Sequence, residues 1–231
     1  MNRRLAVAAA WCAAAALATG SALAQSPAPP MGELKSLGQD RYQVGRIVID
    51  KRARSFTVPG RVHALGKPLE YLATSPGGMK AYETLFELDA TGSEFNLACI
   101  LIGLERDPKH VESRRASMGP LLGPRVDIFV TWAEAGKQRK VTAAEAILND
   151  DAGLDPRSVE WVYAGAPAPE IQGRFPADVT GTLVGFKPDP NNVIESAVGI
   201  GIGAYGSVRG HSMLPPIGSA IELVVQAGPG R

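Results

Sequence analysis

The sequence predicts an α+β fold, a predominantly antiparallel β-sheet with two short helices packed against it. Three observations lead there. Runs that alternate apolar with polar residues recur at frequent intervals, as half-buried strands require. The S/T-x-x-E spacing that opens helices precedes two short stretches, at Thr91–Glu94 and Thr142–Glu145. Neither a βαβαβ rhythm nor a repeat of fixed period is present.

The chain divides into three parts. Residues 1–24 read as a secretory signal peptide: Arg3 and Arg4 precede the apolar run Leu5 to Ala18, and small residues stand at Ala22 and Ala24. Sec-type export to the periplasm or exterior is expected, with cleavage after Ala24. Residues 25–40, with three prolines in the first six, are expected to be a flexible leader. Residues 41–231 form one domain, with no later run of the ~18 apolar residues that a membrane helix needs.

Within the domain, Val44 and Arg46–Asp50, a charged turn at Lys51 to Arg54, and Phe56–Pro59 read as a hairpin. Arg61–Leu65 extends the sheet, Leu69–Ala73 is the next strand, and Pro76-Gly77-Gly78 is a turn. Glu83–Leu88 alternates as a half-buried strand does. A helix follows from Thr91, with Phe95, Cys99 and Ile102 on one apolar face and Gly103 to end it. Glu105 to Arg125, charged and broken by Pro108, Pro120 and Pro124, is a surface excursion that includes a solvated pair at Arg114-Arg115. Val126–Trp132 is a strand, and Thr142 to Leu148 a short second helix. Glu160–Ala164 and Ala177–Phe186 are strands, the latter with bends at Gly181 and Gly185. Val193–Ile202 is apolar and glycine-rich, and Ala220–Val225 is the last strand.

Composition narrows the chemistry. With 24 basic and 23 acidic residues, of which export removes two arginines, a near-neutral surface gives no reason to expect nucleic acid as a partner. Of the two cysteines, Cys12 leaves with the signal, so Cys99 has no internal disulfide partner and no four-cysteine metal site is possible. It reads as a buried core thiol. The glycine run Gly201–Gly206 has the G-x-G-x-x-G spelling, but no helix follows to hold a pyrophosphate. Gly210-His211-Ser212-Met213-Leu214 has leucine where a nucleophile elbow needs glycine. His63, His110 and His211 lack metal-ligand spacing, and no metal, cofactor or catalytic residue is assigned.

The densest cluster of unusual polar residues is Pro68-Leu69-Glu70-Tyr71-Leu72 with Gly77-Gly78-Met79-Lys80-Ala81-Tyr82-Glu83. With Gly66 it resembles the signature of the YdjY-like domain family of exported bacterial proteins. Later segments, among them Trp161–Gly165, Ala177–Gly181 and Pro215–Gly218, extend the resemblance over about residues 44 to 226. The family carries no established biochemical activity, so the resemblance implies an exported domain rather than a reaction. Where its pattern has histidine beside the glutamate, this chain has Tyr82. Some relatives are linked to ferredoxin-type iron–sulfur modules, which a single thiol does not support.

Two readings of function follow. In the first, the exported chain is a noncatalytic module that binds a small ligand or an envelope protein through Glu70, Tyr71, Lys80, Tyr82, Glu83 and Trp161. The same charges could instead form a solvated, salt-bridged face. In the alternative, Glu70 and Glu83 share acid–base work in a periplasmic hydrolase, with Trp161 or Tyr163 as a sugar platform; this needs carboxyls ~5–9 Å apart across a groove. A structural part of an assembly would show a broad apolar patch around Val198 to Ile202.

Overall fold

A computed structural model describes residues 31–106, 121–150, 155, 159–200 and 207–229. The expected signal peptide, residues 25–30 of the expected leader, most of the Glu105–Arg125 excursion with His110, and Gly201–Gly206 lie outside the described residues.

The fold is a closed β-barrel, which corrects the α+β expectation. Strands in chain order are β1 (Lys35–Gly38), β2 (Arg41–Val44), β3 (Ile47–Asp50), β4 (Ser55–Val62), β5 (Tyr71–Thr74), β6 (Thr84–Leu88), β7 (Arg125–Glu134), β8 (Lys137–Thr142), β9 (Ile147–Asn149), β10 (Trp161–Tyr163), β11 (Thr182–Gly185), β12 (Ile194–Ser196), β13 (Val208–Gly210) and β14 (Ala220–Ala227). Eight of them run β4-β14-β7-β10-β12-β11-β5-β6, and β6 pairs back onto β4 to close the ring. Closure satisfies the hydrogen-bonding edges that an open sheet would present. The pairs β5–β6 and β11–β12 are parallel and the other six in the ring antiparallel.

Strand β4 makes closure possible by forking. Its first residues pair with β3, Val48 opposite Thr57, and its last with β6, Val62 opposite Phe86. β14 lies along its other edge, with Leu223 opposite Val58. The meander β1-β2-β3 therefore extends outward from the ring, and β8 is a hairpin arm on β7. The leader expected to be flexible through residue 40 is instead ordered in its second half, where β1 pairs with β2.

On one side of the ring, burial alternates as the sequence requires. Phe56 and Val58 of β4, Ile221, Leu223 and Val225 of β14, and Val126, Ile128 and Val130 of β7 fill the core, while Arg125, Asp127, Ala220 and Glu222 face water. On the other side, all residues of β5, β6, β10, β11 and β12 are buried, so both faces are covered. Strand Glu83–Leu88, expected to be half exposed, is one of these. The two-stranded ribbon β9–β13 contributes the cover: Gly210 packs on the Leu85 and Leu65 side chains, and its N–H donates to the Leu65 carbonyl at 3.0 Å.

The helices do not form a layer. α1 (Gly92–Leu101) packs against β3, β11 and the five-residue α2 (Pro176–Thr180). It begins as the sequence predicts. Thr91 Oγ1 accepts from the Glu94 N–H at 3.2 Å, and Glu94 Oε2 accepts from the Thr91 N–H at 2.9 Å. Phe95, Cys99 and Ile102 are buried, and the Phe95 ring stands edge-on to Phe56 at 5.1 Å. Cys99 is a core thiol, its pKa pushed up by burial.

Two element assignments change. Thr142 and Glu145 make the hydrogen bonds of a capping box, at 2.7 Å to the Thr142 N–H and 3.2 Å from the Glu145 N–H, yet no helix follows. One turn closes from the Ala146 N–H to the Thr142 carbonyl, and Ile147–Asn149 then pairs with β13. The predicted strand Ala177–Phe186 is in its first half α2, with Pro176 at its start and Gly181 in the left-handed conformation at its end.

Candidate functional site

Glu70 sits where three segments of backbone meet. Its N–H donates to the Glu83 carbonyl at 3.0 Å, and its carbonyl accepts from the Phe186 N–H at 2.9 Å. The first bond sets Glu70 beside the end of the 3-10 turn Ala81–Glu83, and the second brings Lys187 up from the end of β11. The turn reaches this place because Gly77 takes a left-handed φ of 65° and Gly78 lies against Gly181, where a Cβ would come 2.8 Å from the Gly181 Cα. The glycine pair thus seats the loop against the cap of α2.

Two lysine–glutamate pairs form there. Lys187 Nζ lies 2.8 Å from Glu70 Oε1, and Lys80 Nζ lies 3.8 Å from Glu83 Oε2. The Lys187 hydrogen bond holds the Glu70 carboxyl below its ordinary range, against the opposing effect of partial burial; the charges of Lys187 and Lys80, and the Glu83 side chain, add to the lowering. Glu83 Oε2 is shut off from solvent and lacks a hydrogen-bond partner.

Under these pairs lies Tyr71, which is buried and donates to Asp189 Oδ2 at 3.3 Å. Burial, and then the charge of Asp189, push its phenol well above the ordinary range. Asp189 is in turn fixed by the Asn191 N–H and side-chain amide at 2.9 and 2.7 Å on Oδ1. Glu195 Oε2 accepts from the Asp189 N–H at 2.8 Å. Tyr71 therefore supports the cluster from below rather than facing a ligand.

Glu70, Lys80, Glu83 and Tyr71 thus come together, with Tyr82 beside them: Tyr82 is 56% exposed, and Lys80 Nζ stands 5.9 Å from its ring centroid. Met79, on the same loop, is 57% exposed. Trp161 does not join them. It is 5% exposed and packs in the barrel core with its ring 6.0 Å from Phe186, so it offers no platform to a sugar at this cluster. Sequence reasoning missed Lys187 and Asp189. Their signal is the turn-rich run Lys187-Pro188-Asp189-Pro190-Asn191-Asn192, which marks a loop but not the strand start it folds against.

Other residues weighed from the sequence lie elsewhere. His63 Nδ1 is 3.2 Å from the buried carboxyl of Glu87, which also pairs with Arg61. His211 Nδ1 accepts from the Met213 N–H at 3.0 Å, and a turn, not a helix, follows Ser212. Among the described residues no group of three His, Cys, Asp or Glu side chains is placed to hold a metal ion. Among them also, no helix is long and apolar enough to cross a membrane.

The profile of the YdjY domain matches residues 47–226. The chain belongs to the YdjY-domain family. No curated protein and no solved structure matches it. The match runs from the start of β3 to Gln226, one residue short of the end of β14, so the YdjY domain here takes in all eight ring strands.

Proposed function

We propose that this YdjY-domain protein is an exported, noncatalytic binding module of the cell envelope, and that the loop Ser75–Glu83 is its recognition surface. The observation that carries the reading is the exposure of Met79 and Tyr82, 57% and 56%, beside two lysine–glutamate pairs. Methionine and tyrosine are enriched where proteins bind partners, and charges around them set orientation. Here the loop is fixed from beneath by Gly78 on Gly181 and by the Glu70 backbone bonds, so it is held in shape before any partner arrives. Export rests on the basic and apolar leader of residues 1–24.

The hydrolase alternative has less support. A general acid needs a carboxyl whose pKa is raised, whereas Lys187 holds that of Glu70 down.

The test is native mass spectrometry of the chain recovered from its own envelope fraction. The expected result is a mature mass beginning at Gln25 and a bound partner that disappears in a Met79→Ser, Tyr82→Ser double variant. A chain that keeps Met1 overturns the export reading. A partner retained by the double variant, or a bare mass in the wild type, overturns the binding surface.

A further inference from the structure

One edge of the sheet is open. Strand β1 ends the strand order and, among the described residues, has a neighbour on one side only; all four of its residues are exposed. Apolar side chains accompany it: Met31, Leu34 and Leu37 are 53%, 41% and 49% exposed. This edge shares no residue with the loop Ser75–Glu83.

The pairing of β2 fixes which backbone groups the edge presents. The Asp40 carbonyl accepts from the Lys51 N–H at 3.0 Å, so Asp40, Tyr42 and Val44 turn toward β3, and Arg41 and Gln43 toward β1. Lys35 stands opposite Gln43 and turns to meet it. The Leu34 carbonyl and the Ser36 N–H, in the peptide units on either side, then face outward.

The edge is also held in shape. Glu94 Oε1 accepts from the Gly32 N–H at 2.9 Å, and Gly32 lies so close to Gly45 that a Cβ on it would come 2.6 Å from the Gly45 nitrogen. An edge fixed in this way can add a strand at little ordering cost. The bulge between Ser36 and Gly38 limits the pairable run to the residues before it.

That run is complementary to itself. Laid antiparallel on a second copy about Leu34, Glu33-Leu34-Lys35 sets Leu34 opposite Leu34 and each Glu33 opposite the other copy's Lys35. Moving the axis by one residue would set lysine against lysine or glutamate against glutamate, so charge selects one register. A twofold axis makes both charge pairs at once. The same register carries Met31 of each copy toward Leu37 of the other, covering side chains that water otherwise meets.

We propose that β1 pairs antiparallel with β1 of a second copy of this chain, about a twofold axis at Leu34, joining two barrels through one continuous sheet. So short a run buries less than a standard-size interface, and the dimer forms at about 0.1 mM protein.

Sedimentation equilibrium of the protein expressed from its complete sequence, at up to about 1 mM, tests this. The wild type is expected to dimerise, and its Ser36 amide resonance to shift with concentration. Glu33→Lys sets lysine against lysine and Lys35→Glu sets glutamate against glutamate, so each variant alone should dimerise about tenfold or more weakly. Mixed together, the two variants should associate as well as the wild type, because every pair across the axis is then of opposite sign. Both substituted side chains are exposed, and amide NMR spectra establish that each variant is folded. A wild type that stays monomeric at millimolar concentration, single variants that dimerise as it does, or a mixture that fails to associate would each overturn the pairing.

Discussion

Glu94 connects three separate parts of the chain through one side chain, and its removal gives a worked prediction. Oε2 accepts from the Thr91 N–H at 2.9 Å and Oε1 from the Gly32 N–H, also at 2.9 Å. The residue is 6% exposed and stands over Gly45, where a Cβ would meet Oε1 at 2.5 Å. In Glu94→Ala the reciprocal half of the helix cap is lost, costing about 1 kcal/mol. The Gly32 N–H loses a charge-assisted partner, costing about 1–2 kcal/mol more. The sum, about 2–3 kcal/mol, lowers the melting temperature by about 5–10 °C for a domain of this size. Urea unfolding followed by tryptophan fluorescence measures the free energy. Amide exchange at Gly32 measures the local effect, since its protection should fall before the barrel opens. A Glu94→Ala chain within about 0.5 kcal/mol of the wild type, with Gly32 still protected, would refute this account of how the segment before β1 is anchored.

Three further outcomes follow from the same structure. Gly45→Ala places a methyl group against Glu94 in a backbone held at φ 53°, so it should destabilise by about 2 kcal/mol or more, whereas Gly136→Ala, with φ 75° and open space around it, should cost only the strain of about 1 kcal/mol; equilibrium unfolding compares the two. The Glu70 pKa is depressed in the folded state, so its pairing with Lys187 stabilises above the unfolded carboxyl pKa and is lost as pH falls through the lower folded value. Because both side chains are 31% exposed, Lys187→Met should cost less than about 1 kcal/mol at pH 7 and nothing near pH 2, and a difference that grows toward acid would contradict this pairing. Cys99 is wholly buried with a raised pKa, so a thiol reagent such as Ellman's should label it at least about a hundredfold faster in urea than in the folded chain; equal rates would show that the face of α1 that carries it is not packed against the barrel.

What the sequence made legible was local. The cap of α1 and its apolar face Phe95, Cys99 and Ile102 are set by residues within one helix, and the β3–β4 hairpin by one turn. Closure of the ring was not legible, because the pairing of Val62 with Phe86 leaves no mark on either segment. Strand β8, Lys-Gln-Arg-Lys-Val-Thr, is wholly or partly exposed on both faces and so carries no alternation to detect. At Thr142 the local signal was read correctly as hydrogen bonds and wrongly as a helix, since pairing of Ile147–Asn149 with β13 overrides propensity. At Pro176 the reverse occurred: Pro at the start and Gly181 at the end were helix signals inside an apolar run that resembled a strand. The cluster residues Glu70, Lys80 and Glu83 were found because they are close in sequence. Lys187 and Asp189 arrive from the end of the neighbouring strand β11, 117 and 118 residues along the chain from their partners Glu70 and Tyr71, and Trp161 was misjudged because its short strand gives no sign that both of its faces are covered.

The position of β14 between β4 and β7 has a consequence for how the polypeptide matures. Without Ala220–Ala227 the ring strands β7-β10-β12-β11-β5-β6-β4 form an open sheet whose edges are β4 and β7. Closure must wait for Ala220–Ala227, which pair with a strand more than a hundred and fifty residues earlier, and such distant pairing is slow. Deletion of Ala220–Ala227 should leave a product that proteases clear rather than a weakened barrel.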